Sequence, residues 1–259
     1  MSYKDMLIFL DPTPSSDERL KMAIRLAKAH SARLIGIDAS ADVAFEGTWR
    51  DRALQVGRYF EEMTEAAGIE AKLVGADYRH GGTAPDYTHC VDLVIAPRPE
   101  GESRRLVAAF VPDEVVMRSG CPTLVVPHDW APGPVGESVV VAWNGSREAT
   151  RAVHDALPLL ETARKVVVFA FSQRPSALRA SAEALAQHLK RHGVKVTLSD
   201  WTNTGEISAI EAMFASIDTQ DCDLIVAGGF GHSRVFEGLF GGVSFDLLKQ
   251  PTLPVLMSH

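Results

Sequence analysis

The chain has 259 residues, 46% of them hydrophobic, and a formal net charge of −7. That content buries one large core or two of ordinary size, and the interspersed charges argue against nucleic acid or an anionic membrane as the main partner. No apolar run approaches the roughly 18 residues of a membrane span, the opening MSYKDMLIFLD meets an acid too early for a signal peptide, and Cys90, Cys121 and Cys222 suit no disulfide framework; the expected compartment is the cytoplasm.

In chain order, DMLIFLD reads as a first strand, followed by the turn DPTPSS and a helix through KMAIRLA. RLIGIDAS is a second strand, and a longer helix runs through Leu54, Tyr59, Phe60 and Met63. IEAKLVGAD, VDLVIAP and PTLVVP complete five strands. PHDWAPGPVGES, residues 127–138, carries prolines and glycines that interrupt both helix and strand. The domain boundary therefore falls near Pro132, giving domains 1–131 and 132–259.

The second half opens with SVVVAW, an apolar run of the kind that is buried on both faces. Ser146 caps the next helix, whose Ala149, Ala152, Val153, Ala156, Leu157 and Leu160 share one face; Pro158 kinks it or closes it early. KVVVFAFS is the next strand, and its helix ends where Gly193 takes a left-handed conformation. VKVTLSDWT, helix ISAIEAMFASI, DLIVAGG and LPVLMS follow.

The halves repeat each other. VDLVIAP matches CDLIVAG with Asp92 and Asp223 131 residues apart, CPTLVVP matches LPVLMSH with Pro122 and Pro254 132 apart, and Asp11 precedes Asn144 by 133. Alternating strands and helices imply an α/β fold of two tandem five-stranded parallel sheets flanked by helices. Ligands in such sheets bind beyond the carboxyl ends of strands, where the winding reverses. If strands one and four are neighbours, NGSRE and GGFGHSRVFEGLFGGVS face the same crevice.

In that second stretch Gly228 is followed by two residues, Gly231, nine residues, and Gly241. With the duplicated unit, this resembles the universal stress protein family in its tandem form. The resemblance implies a Rossmann-like layout of the adenine nucleotide alpha hydrolase type and pairing of the copies through their fifth strands as an intramolecular pseudo-dimer, with a homodimer permitted. It also implies ATP, with Mg2+ as an optional companion, held by Gly228, Gly231, Gly241, Gly242, Val243 and Ser244. Asn144, Gly145 and Ser146 line the opposite side, His232 and Ser233 lie beside the phosphate path, and the base rests near Ala170 to Ser172. The function implied is sensing or regulation through unidentified protein partners, with at most slow hydrolysis and no catalytic residue assigned. The alternative is a nucleotide-free interaction module whose glycine loop is structural.

Two departures weaken the motif. Gly242 stands where the family's nucleotide-binding members have serine or threonine, and Asn144 stands where they often have an acid. In the first half Pro97 and Glu100 fall at Gly228 and Gly231, so no triphosphate is expected there, although Asp11 keeps the acid. Elsewhere, Asp77, His80, Asp86, His89 and Cys90 collect metal-ligating types without a tetrahedral spacing; the reading is a loop with a buried cysteine, and no metal site is assigned. Neither a nucleophile elbow nor a P-loop is present.

Overall fold

The computed structural model describes residues 2–38, 48–75, 83–98, 112–172, 175–202, 209–216, 222–229 and 253–259. The chain divides into two compact units, Met1–Pro132 and Gly133–His259.

The first unit contains β1 (Asp5–Leu10), α1 (Pro14–His30), β2 (Arg33–Asp38), α2 (Thr48–Ala53), α3 (Val56–Ala67), β3 (Ala71–Gly75), a 3-10 turn at Ala84–Tyr87, β4 (Leu93–Arg98), α4 (Pro112–Arg118) and β5 (Thr123–Pro127). Its strands lie in the order β3-β2-β1-β4-β5, all parallel. The second unit contains β6 (Ser138–Trp143), α5 (Arg147–Leu160), β7 (Lys165–Ser172), α6 (Pro175–Arg191), β8 (Val196–Thr202), α7 (Ala209–Ser216), β9 (Leu224–Gly228) and β10 (Val255–Ser258). Its order, β8-β7-β6-β9-β10, is the same winding, again parallel. In each unit the first and fourth strands are neighbours, so their carboxyl ends border the crevice where the winding reverses.

The central strands are apolar because both faces are covered. Met6, Leu7, Ile8 and Phe9 of β1 are inaccessible to solvent, as are Leu93, Val94, Ile95 and Ala96 of β4. The repeated aspartates earn their place at the opposite, amino end of the sheets. Asp92 accepts the backbone N–H groups of Lys4 and Asp5, and Asp223 accepts those of Gly136, Glu137 and Ser138. Each carboxylate satisfies the amides that enter its unit's first strand.

The helix signals translate directly. Ser146 Oγ accepts the Ala149 N–H at 3.1 Å, all six apolar positions on α5 are buried, and the helix closes two residues after Pro158. Gly193 sits at φ +79° beyond α6, and Val194 N–H returns to Leu189 O. The single long helix expected through Leu54 is instead two. Arg52 Nε donates to Pro12 O at 2.6 Å and holds α2 beside α1. A Cβ on Gly57 would lie 2.8 Å from Leu73 Cδ2, so α3 presses on β3. The chain breaks between these anchors, leaving Leu54 exposed. Among the described residues no helix is long and apolar enough to cross a membrane.

Candidate functional site

The crevice of the second unit is built from the ends of β6, β7 and β9. After Trp143 the chain turns through Asn144, Gly145 and Ser146 into α5. Gly145 takes φ +75°, a conformation that favours glycine. Asn144 Oδ1 accepts the Ser146 N–H at 3.0 Å, which spends one amide acceptor on the turn itself. Trp143 is anchored by its indole N–H to Ser181 Oγ at 3.1 Å.

Gly228 ends β9 against the start of α5. A Cβ there would lie 2.5 Å from the Ala149 nitrogen and 2.7 Å from the Glu148 carbonyl carbon. Glycine is thus required by the approach of helix to strand, whatever the crevice holds. The next amide, Gly229 N–H, donates to Ser258 O at 2.7 Å, and the Gly229 carbonyl meets His259 Nδ1 at 2.9 Å. The Gly229 N–H therefore continues the pairing of β9 with β10.

Beside Gly228 lies a hollow of about 60 Å³ lined by Trp143, Asn144, Phe169, Phe171, Ala209 and Gly228, among others. It exceeds the roughly 10–15 Å³ that a single water needs and holds a few. That suits part of a flat ring and leaves the rest of a nucleotide outside. Phe169 and Phe171 stack with centroids 6.4 Å apart and planes 17° from parallel. The sequence reading put the base at residues 170–172. Phe171 of that range does line the hollow, and the strand's period of two adds Phe169, which the range left out, in place of Ala170.

Glu148, in the first turn of α5, closes the NGSRE turn but was given no role in the sequence analysis. It is 7% exposed. Burial pushes its pKa up, but its own backbone N–H, the Arg147 guanidinium and the Ser146 hydroxyl outweigh that, and the net direction is down. Its Cβ would lie 2.9 Å from a Cβ at Gly228, and its carboxylate accepts from Arg147 Nε at 3.2 Å. Gly231, His232, Ser233, Gly241, Gly242, Val243 and Ser244 lie outside the described residues.

At the corresponding mouth of the first unit lies a buried ion pair. Arg19 Nη2 donates to Asp11 Oδ2 at 2.6 Å, to Phe9 O at 3.1 Å and to Ser16 Oγ at 3.2 Å. Asp11 Oδ1 accepts the Thr13 N–H at 2.9 Å and the Thr13 hydroxyl. With the 133-residue offset, Asp11 and Arg19 correspond to Asn144 and Ala152: the second unit lacks both members of the pair. The signal available in the sequence was an arginine on the otherwise apolar face of α1 with Leu20, Ala23 and Ala27.

The first unit also holds the larger hollow, about 140 Å³, lined by Asp11, Ser16, Asp17, Arg52 and Tyr59, among others. Two of its groups are carboxylates, and Arg52 is paired with Asp17 at 3.2 Å, which suits phosphates poorly. Size favours this hollow, and chemistry favours the one in the second unit.

Among the described residues, the metal-ligating types near residue 80 form no group that could hold an ion. Asp86 accepts the Thr83 N–H and hydroxyl in a capping box. Cys90 is exposed, contrary to the buried cysteine expected there; it sits in the turn ahead of β4, and burial begins at Leu93. Asp77 and His80 lie outside the described residues.

No family model and no curated protein matches this sequence. Solved structures do resemble the fold. A universal stress protein from Archaeoglobus fulgidus aligns with 98% of this chain and 95% of its own at 17% identity and a TM-score of 0.73. A functionally unknown protein from Pseudomonas aeruginosa aligns with 99% and 92% at 15% identity and a TM-score of 0.62. At these identities the likeness is one of fold: the chain has the tandem α/β architecture of a universal stress protein.

Proposed function

We propose that this chain is a tandem universal stress protein whose second unit binds an adenine nucleotide, ATP with or without Mg2+, as a sensor or regulator acting through protein partners. The observation that carries the reading is the hollow at the reversal of winding, where Phe169 and Phe171 offer a stacking surface and Asn144 and Gly228 form the rim. The glycine spacing from Gly228 to Gly241 supplies the phosphate side of the proposal.

Glu148 refines it. The residue borders Gly228, and a carboxylate that near the phosphates would oppose free ATP more than its Mg2+ complex. The test is displacement of a fluorescent adenine nucleotide from the purified chain. Phe171→Ala weakens binding about 5- to 150-fold, the range of one lost base–aromatic stack, and Glu148→Gln tightens free ATP more than Mg-ATP. An unchanged affinity in Phe171→Ala removes the base from this hollow.

A second reading has its own support. The contact of Gly228 with α5 explains that glycine without a ligand, as in an interaction module that holds no nucleotide. Absence of displacement at millimolar ATP favours it.

A further inference from the structure

Three histidines gather on the second unit, away from the crevice. His188 lies in the last turn of α6, His192 is the first residue past that helix, and His154 projects from α5. The ring centres of His188 and His192 are 4.7 Å apart, those of His154 and His188 5.7 Å apart, and both pairs meet edge-on. His188 Nε2 is buried and has no hydrogen-bond partner among the described residues.

These separations have a chemical meaning. An imidazole bound to Zn2+ through one nitrogen, at about 2.0–2.1 Å, places its ring centre about 3.2 Å from the ion, so two such rings at a tetrahedral angle lie about 5.2 Å apart. The two observed values bracket that distance. Edge-on aromatic pairs span about 4.5–7 Å without any ion, so the spacing permits a chelate, and what points to a ligand is the buried imidazole nitrogen without a partner, a cost that a ligand removes.

From this geometry we infer that His188 and His192 form a chelate for a borderline divalent transition metal, with Zn2+ the reference ion and His154 the third ligand, clasping α6 to α5. His192 Nδ1 lies 3.5 Å from Glu161 Oε1 at the end of α5. A carboxylate on one ring nitrogen orients the other, Nε2, toward a metal. Arg191 adds a cation nearby and Glu161 offsets it. No three donors among the described residues converge closely enough to hold an ion as they stand, so His154, exposed on α5, completes the set by side-chain rotation. Water fills the fourth position.

The experiment is calorimetric titration of Zn2+ into the chelator-treated full chain at pH 7.5, where neutral imidazoles predominate. Saturable binding of one ion is expected, weakened at least 10-fold in His188→Gln/His192→Gln and to a lesser degree in His154→Gln, with circular dichroism verifying that each variant is folded. Absence of saturable binding overturns the inference. So does undiminished binding in the folded double variant, which would put the ion elsewhere, for instance at His80 and His89. If the double variant unfolds, His188→Asn and His192→Asn made singly carry the same test, and Zn2+ must raise the melting temperature of the native chain more than theirs.

Discussion

Arg19 and Asp11 have side-chain exposures of 1% and 2%, so each depends on the other to offset its lost hydration. Removing one partner leaves a buried charge uncompensated. Arg19→Ala is therefore expected to cost about 3–5 kcal/mol in denaturant unfolding. Asp11→Asn/Arg19→Ala, which installs the second unit's pair, recovers much of that loss; a double variant as unstable as the single one would mean that lost packing, not the orphaned carboxylate, dominates. Gly228 makes a similar argument from sterics. Its missing Cβ leaves room for the Ala149 nitrogen, and Gly228→Ala must push α5 from β9, at about 1–3 kcal/mol of overpacking. That loss is expected without any nucleotide; an unchanged melting temperature would contradict the packing account.

At the scale of elements, α1 carries a pH-sensitive contact. His30 in its last turn is nearly buried beside Tyr3, with ring centroids 5.0 Å apart, and Ser2 Oγ approaches its Nδ1 at 3.4 Å. Burial, helped by the Lys4 charge, holds its pKa below the usual histidine value. With the folded value depressed, the neutral ring's contribution is fully present above the unfolded pKa of about 6.5 and is lost as pH falls through the folded value. The native chain should lose stability between pH 7 and pH 5 more steeply than His30→Gln; equal slopes would show that His30 does not couple to folding. Much of the element pattern was legible beforehand, because its causes are local: Ser146 caps its own helix, Gly193 ends its own helix, and the apolar face of α5 follows helical spacing. The readings that failed depended on distant partners. KVVVFAFS has too little alternation to tell which residues face the hollow, so Phe169 was missed. The break before α3 depends on Pro12 and Leu73, and the burial of Arg19 depends on Asp11 across a turn. Of the candidate site, Asn144, Gly145, Ser146 and Gly228 could be located, and for Gly228 the physical reason found is packing.

At the scale of the whole chain, one winding occurs twice and ends in two different mouths. The first carries a buried ion pair, Asp11 and Arg19, beside a hollow that Asp11 lines. The second has Asn144 and Ala152 in their places, an aromatic hollow, and the glycine spacing that the first has lost at Pro97 and Glu100. If the second mouth is the nucleotide site, the chain takes one ligand, not two. The deciding measurement is calorimetric titration of Mg-ATP into the nucleotide-stripped chain beside Gly231→Asp, whose carboxylate would stand in the phosphate path. Saturable binding at one equivalent per chain, abolished in the variant while its fold persists, is the expected result. Two equivalents, binding unaffected by Gly231→Asp, or no heat at millimolar Mg-ATP would contradict it.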